Sequence, residues 1–312
     1  MNASDDIDMR HEVEVELIAL VAAMAESQPV ALTVRQGTAL PSGPFELGHR
    51  SLQEGLRGWV RQQTGHPLGY IEQLYTFADR DRIANGQTRR TISISYLGLT
   101  HDDGAERKQD WRGWYSYFPW EDHRSEPPPV IGHTILPQLQ AWAENGGAVA
   151  RETRWHRTAL AFGFDGRPWN EELVLQRYEL LYEAGLVAEA LRGHGGGHEA
   201  PLPGWEMLAD HRRILATGIA RLRTKIKYRP VVFELMPPEF TLLQLQRTVE
   251  ALAGRLVHKQ NFRRLIEQQE LVEETGQTTA ETGGRPAKLF RFRPAVLVER
   301  TAAGTKLPIA RA

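Results

Sequence analysis

From Thr241 to Phe292 the chain changes its period in an order that few folds accept. "TLLQLQRTVEALAG" places apolar residues at helical spacing, opens on a threonine suited to cap a helix and stops at Gly254. "RLVHKQNFRRLIEQQE" follows as a second helix after a short turn. "LVEETG" and "KLFRFR" then read as strands on either side of the polar "QTTAETGGRPA". Helix, turn, helix, strand, polar loop, strand is the outline of a winged helix-turn-helix.

The second helix of this outline points to nucleic acid. Phe262, Leu265 and Ile266 are spaced to face a core, which leaves Lys259, Gln260, Asn261, Arg263 and Arg264 largely on the other side. A helix that enters a major groove needs this division, with apolar residues to dock it and Arg, Lys, Gln or Asn to reach base edges and phosphates. Arg285 and Lys288 flank the wing loop, where Gly283, Gly284 and Pro286 let backbone and a guanidinium press on a phosphate track. Two other uses of the same residues stay open: a solvated charged face, and a winged helix that docks a protein.

Bulk properties limit the rest. A chain of 312 residues is long enough for two domains, or for one large domain with an appendix. The formal net charge of −1 makes any nucleic-acid surface a local one. Without cysteine there is no disulfide, thiolate catalysis or Cys-based zinc site, and a reducing cytoplasm suits such a chain. The N-terminus starts acidic and lacks the basic region of a signal peptide; its apolar part, from about Glu12 to Glu26, reads as an amphipathic helix. No apolar run approaches the ~18 residues that span a bilayer.

Strands are expected at Pro29–Gly37, in "GYIEQLYTF" and in "RRTISISYLGLT", the last with clean alternation. Helices are expected at Leu56–Gly65, Ile135–Asn145 and Asn170–Ala188. "RGHGGGHEAPLPG" reads as a hinge or surface loop. Beyond it, "MLADHRRILATGIARLRTKIKY" is a long helix with a basic face and an apolar stripe of Leu208, Leu215, Ile219, Leu222 and Ile226. "RPVVFELMPPEF" is read as extended.

The segments "KQNFRR" (Lys259–Arg264) and "GRPAKLFRF" (Gly284–Phe292) carry a resemblance. With the sequence around them they resemble the DNA-binding domain of the Nudix-related transcriptional regulators of bacterial NAD metabolism. "DHRRILATGIARLRTKIKY" resembles that family's linking helix, and length and the long middle region look closer to the NadQ branch than to the NrtR type. The resemblance implies a Nudix fold in front, a DNA operator, and a nucleotide effector: NAD, ADP-ribose or ATP.

A hydrolytic Nudix box stacks glutamates on one helix face to hold Mg²⁺ near a pyrophosphate. With its last glycine set on Gly65, its first falls on Pro44 and its first Glu on Arg50. The Arg-Glu pair becomes Gly58–Trp59, the aliphatic position stays as Val60, and the Glu-Glu pair becomes Gln62–Gln63. Every metal carboxylate is gone, and amides are weak ligands for a hard cation. A chance helix-glycine pattern is the bland alternative. Glu46, Glu54 or Glu72 could rebuild a site, but nothing in their spacing argues for it.

Candidate effector contacts come from chemistry. Arg80, Arg82 and Arg89 are placed to hold a diphosphate, with Arg90 beside them. Trp111, Trp114 and Trp120, together with Tyr115, offer rings to stack a base. An aromatic stripe is more often core, and a "DRD" segment is as readily a turn. His194 and His198, in a glycine loop without carboxylate partners, receive no metal reading, and His211 is expected to pack or cap the long helix.

The combined expectation is an α/β Nudix-like domain over residues 10–204, enlarged by helices between Pro127 and Gly204, then a linking helix and winged helix-turn-helix (α+β) over 205–300. Function follows as a ligand-responsive transcriptional regulator, a repressor of NAD-biosynthesis genes, acting as a homodimer on a palindromic operator. It requires no metal or cofactor, has no membrane partner and is not an enzyme. The alternative is a Nudix-type nucleotide pyrophosphohydrolase with a relocated metal site.

Overall fold

The computed structural model describes residues 13–78, 90–101, 110–192, 202–279 and 286–295. Its spine is β1 (Val13–Ala25), central in a mixed sheet of order β4-β5-β1-β2-β6. The other strands are β2 (Gln28–Leu32), β3 (Ser42–Pro44), β4 (Tyr70–Phe77), β5 (Arg90–Leu99) and β6 (Trp111–Gly113). β5 runs parallel to β1, with Leu17 opposite Ile94, while β3 pairs antiparallel with β1, Leu17 opposite Gly43.

The segment expected as a helix from Glu12 to Glu26 is therefore a strand. Leu17, Ala19, Val21 and Ala23 face one layer, and Ile18, Leu20 and Ala22 face the other. A strand buried on both faces reads as a continuous apolar run, which periodicity cannot tell from a buried helix. Of the strand expected at Pro29–Gly37, β2 keeps the first part; Arg35–Gly37 is a short 3-10 turn.

One face of the sheet carries α1 (Leu52–Thr64), seated by Leu56 and Val60 against Leu17, Val21 and Tyr96. The other face carries α7 (His211–Tyr228), whose Gly218 lies so close to Leu20 that a Cβ there would have no room. The helix placed behind a boundary at 205 thus packs into the front layer. Its Ile214, Leu215, Ile219 and Leu222 are buried, while Leu208 lies outside the helix and is exposed. Two arginines of the supposedly basic face, Arg212 and Arg223, are buried as well.

Along the chain, a helical insertion runs between β6 and α7. It comprises α2 (Trp114–Tyr117), a π-turn (Ile131–Ile135) continuing into α3 (Leu136–Glu144), α4 (Ala148–Phe162), α5 (Val174–Glu183) and α6 (Ala188–Leu191). The helix expected from Asn170 starts later: Asn170 Oδ1 accepts from the Glu172 N–H at 2.9 Å and organises a turn before α5.

After a 3-10 turn (Val231–Leu235), where an extended segment was expected, come α8 (Leu242–Ala253), α9 (Lys259–Gln268), β7 (Val272–Thr279) and β8 (Ala287–Phe292). Thr241 caps α8 through a full capping box with Gln244, and Gly254 ends it at φ 69°. The β7–β8 hairpin is tied in by paired backbone hydrogen bonds between Phe240 and Phe290, and Phe233 stacks on Phe292 at 4.4 Å.

Candidate functional site

α9 presents what a reading helix needs. Phe262 and Ile266 are buried and seat it, while Lys259, Gln260, Asn261, Arg263 and Arg264 are all exposed. Leu265 departs from expectation: it is 50% exposed instead of facing the core. At 100° per residue it points well away from the line between Phe262 and Ile266. It lines a groove of about 850 Å³ with Asn261, Phe233, Leu256 and Val257.

On the hairpin, Lys288 is exposed but not free: its Nζ meets both carboxylate oxygens of Glu274, at 2.8 and 2.9 Å. Arg285, Gly283 and Gly284 lie outside the described residues.

In the front domain, α1 keeps the shape of a Nudix helix. Ser51 Oγ accepts from the Glu54 N–H at 3.1 Å, and Gly65 closes the helix at φ 76°. Its chemistry differs at each aligned carboxylate position. Trp59 donates its indole N–H to Pro44 O at 2.9 Å and packs where Gly43 has no side chain. Gln63 donates Nε2–H to Ser42 O at 2.7 Å and accepts the Ser42 N–H at 3.2 Å, and Gln62 is exposed. A donor set of an indole and a committed amide does not fit a divalent cation, so no step through a metal is derived.

The other acidic candidates do not converge on α1. Glu54 lies in its first turn, and Glu72 is held by Lys225 and by the Tyr70 hydroxyl at 2.6 Å. Among the described residues no three His, Asp or Glu side chains are grouped to hold a metal. Glu16, half-buried on β1, was not legible as a site residue, because a strand buried on both faces has the pattern of a helix. Its Oε1 accepts from Ser42 Oγ at 2.9 Å; burial pushes its pKa up, and the Ser42 bond and the Arg35 charge offset this only in part.

The proposed base-stacking rings are core. Trp114 and Trp120 are fully buried on the α7 side, and Trp111 is buried on the α1 side, edge-on to His66 at 5.4 Å. Sitting in different layers, the three do not line one pocket, and buried in the core they are not free to stack on a base. Tyr115 spends its hydroxyl on Ala251 O. Arg80, Arg82 and Arg89 lie outside the described residues, as do His194 and His198, and of the Arg90 side chain nothing is described. His211 does pack: its Nδ1 accepts the Leu40 N–H at 2.9 Å.

A ring the sequence did not single out is more accessible. Trp205 is 48% exposed, with the Arg112 guanidinium 5.3 Å from its ring centre. Arg112 Nε is buried without a hydrogen-bond partner among the described residues.

Residues 232–292 match the family model of the NrtR DNA-binding winged helix domain. This segment is similar to that domain along its whole matched length. A curated relative, the ADPR responsive transcriptional repressor NtrR of Acinetobacter baylyi, is 40% identical over 87 residues, 28% of this chain. The alignment spans about a third of that relative, 34% of its length.

Solved structures show the fold of the whole. Shewanella oneidensis NrtR complexed with a 27mer DNA aligns with TM-score 0.52 at 19% identity, over 91% of this chain and 95% of the other. A MutT/nudix family protein from Enterococcus faecalis aligns with TM-score 0.53 at 14% identity, over 90% of this chain and 87% of the other. The chain therefore has the fold of an α/β Nudix-like domain followed by a winged helix, the latter matching the NrtR family model. No helix among the described residues is long and apolar enough to cross a membrane.

Proposed function

We propose that this chain is a ligand-responsive transcriptional repressor of NAD-biosynthesis genes, whose Nudix-like domain senses a nucleotide without hydrolysing it. The observation that carries the reading is α9: buried Phe262 and Ile266 dock it, and Gln260, Arg263 and Arg264 stand clear of every packed layer. The NrtR winged-helix match and the Shewanella complex support DNA as the partner. The name of the Acinetobacter relative favours ADP-ribose over NAD or ATP as effector.

The absence of hydrolysis rests on the chemistry of α1, where an amide and an indole stand at carboxylate positions. A single winged helix neutralises few phosphates, so useful specificity calls for a homodimer on a two-fold operator. Effector binding shifts the population between geometries that fit the operator better or worse. Chain length and the helical insertion support the NadQ branch over the NrtR type. Lys259, Gln260, Asn261, Arg263, Arg264, Arg285 and Lys288 are the proposed DNA contacts.

The test is a gel-shift titration on promoters of NAD-biosynthesis genes of the source genome at fixed salt, with and without ADP-ribose, NAD and ATP. Tight, sequence-selective binding altered by one nucleotide supports the reading and names the effector. No selective binding under any condition overturns it.

A further inference from the structure

The C-terminal end of α8 is held by the front domain. A helix leaves its last four carbonyls without partners of its own. Tyr115 Oη donates to Ala251 O at 2.6 Å, Arg223 Nε to Leu252 O at 2.9 Å, and the His123 N–H to Gly254 O at 2.7 Å. Gly254 sits against the Glu121 carbonyl so closely that no Cβ fits between them.

Arg223 comes from α7 and is 1% exposed. Its guanidinium also donates to Glu121 Oε2 at 2.6 Å and to Glu171 O at 2.9 Å. The Glu121 carboxylate, equally buried, takes two bonds from Arg177 of α5, at 2.5 and 2.8 Å. Burial pushes the Glu121 pKa up, but the two guanidiniums outweigh it and keep the carboxyl below its ordinary value. Two helices, α5 and α7, therefore meet the segment after α2 at one carboxylate, and α8 joins them through Arg223.

α7 has a second attachment. It lies on the sheet with Gly218 against Leu20 and Leu74, and Lys225 pairs with Glu72 of β4. One helix thus touches the strands that support the sensor and, through Arg223, the helix that carries α9. A guanidinium fork is directional, and a buried ion cluster tolerates misplacement poorly because unpaired charge is costly there. Apolar contacts slide; this junction turns with α7.

We propose that Arg223, with Tyr115 and Glu121, is a positioning residue of the DNA-reading domain, which converts a shift of α7 on the sheet into a reorientation of α8 and α9. The inference rests on the repressor reading and names the path by which its effector acts.

The experiment uses the full chain with Tyr115→Phe, which removes one hydroxyl and keeps the ring, and Arg223→Lys, which keeps charge and loses the fork. Three quantities are read for each: melting temperature, ADP-ribose affinity by calorimetry, and the ratio of operator affinities with and without saturating ADP-ribose. A response of ordinary size is on the order of 5- to 150-fold. The expected result is that Tyr115→Phe melts and binds ADP-ribose like the parent while its ratio falls toward 1, and that Arg223→Lys falls further. A parental ratio in Tyr115→Phe and in any folded Arg223→Lys overturns the proposal. A parent protein that binds no operator, or ignores the nucleotide, overturns the repressor reading itself and this path with it.

Discussion

Gln63 clasps Ser42 in both directions, giving its amide N–H to the Ser42 carbonyl at 2.7 Å and taking the Ser42 N–H at 3.2 Å. An amide can do both, whereas an ionised carboxylate has no donor. The residue at a catalytic glutamate position thus ties α1 to β3. Purified protein with Mg²⁺ should leave ADP-ribose intact; turnover above ~1 per second, an ordinary enzymatic rate, would refute the loss of hydrolysis. Gln63→Glu should lower stability by about 1 kcal/mol, as a carboxylate faces the Ser42 carbonyl, and thermal melting measures it.

On the proposed DNA face, Arg264→Ala and Arg263→Ala should each weaken operator binding by roughly 1–3 kcal/mol if the guanidinium reads a base, and relax preference at one position. Fluorescence anisotropy on the operator and on singly substituted sites checks this. Unchanged binding would remove that arginine from the interface.

At the wing, Arg285→Ala should lower affinity evenly across sequences and reduce the slope of log affinity against log salt by about 0.9 for one lost phosphate contact. Lys288→Ala should change the slope less, because Glu274 already pairs with Lys288. Equal slopes for parent and Arg285→Ala would exclude the wing from the phosphate track.

His211 makes the fold sensitive to acid. Burial, with a smaller contribution from the Arg35 charge, pushes its pKa from 6.5 down to about 4. The Leu40 N–H donates to Nδ1, so a proton added there breaks the bond. The unfolded chain takes up this proton near its ordinary pKa, and the folded chain refuses it until about pH 4. The contribution is therefore fully present above about pH 6.5, is lost as pH falls through this window, and amounts to roughly 3 kcal/mol. Denaturant unfolding of the parent and of His211→Gln at several pH values should show a shallower acid dependence in the variant. Identical dependence would acquit His211.

Much of the winged helix was legible because its signals are local. Thr241, Gly254 and the two-residue alternation of "KLFRFR" act through their own neighbours, and the structure has the helices and strands they predict. The residues that place Leu265 in a groove are distant, and its exposure was not legible. In the front half the alternation of β5 survived translation into structure, whereas β1 did not, since burial on both faces erases alternation. The aromatic segment at Trp111–Trp120 carried composition but no indication of which layer each ring would enter. α4 had no capping side chain to announce it.

By itself the sequence determined α8 with its caps, α9, the strands of the wing and the loss of carboxylates along α1, because each depends on residue type at short spacing. Only tertiary structure decided that α7 belongs to the sheet, that Arg212 and Arg223 are buried, and that Arg223 links Glu121 to the end of α8. A charged side chain looks solvated in any window of sequence. Whether it is buried depends on a partner that the fold brings near: Glu121 and Arg223 bond across a separation of 102 residues, and no local pattern records that meeting.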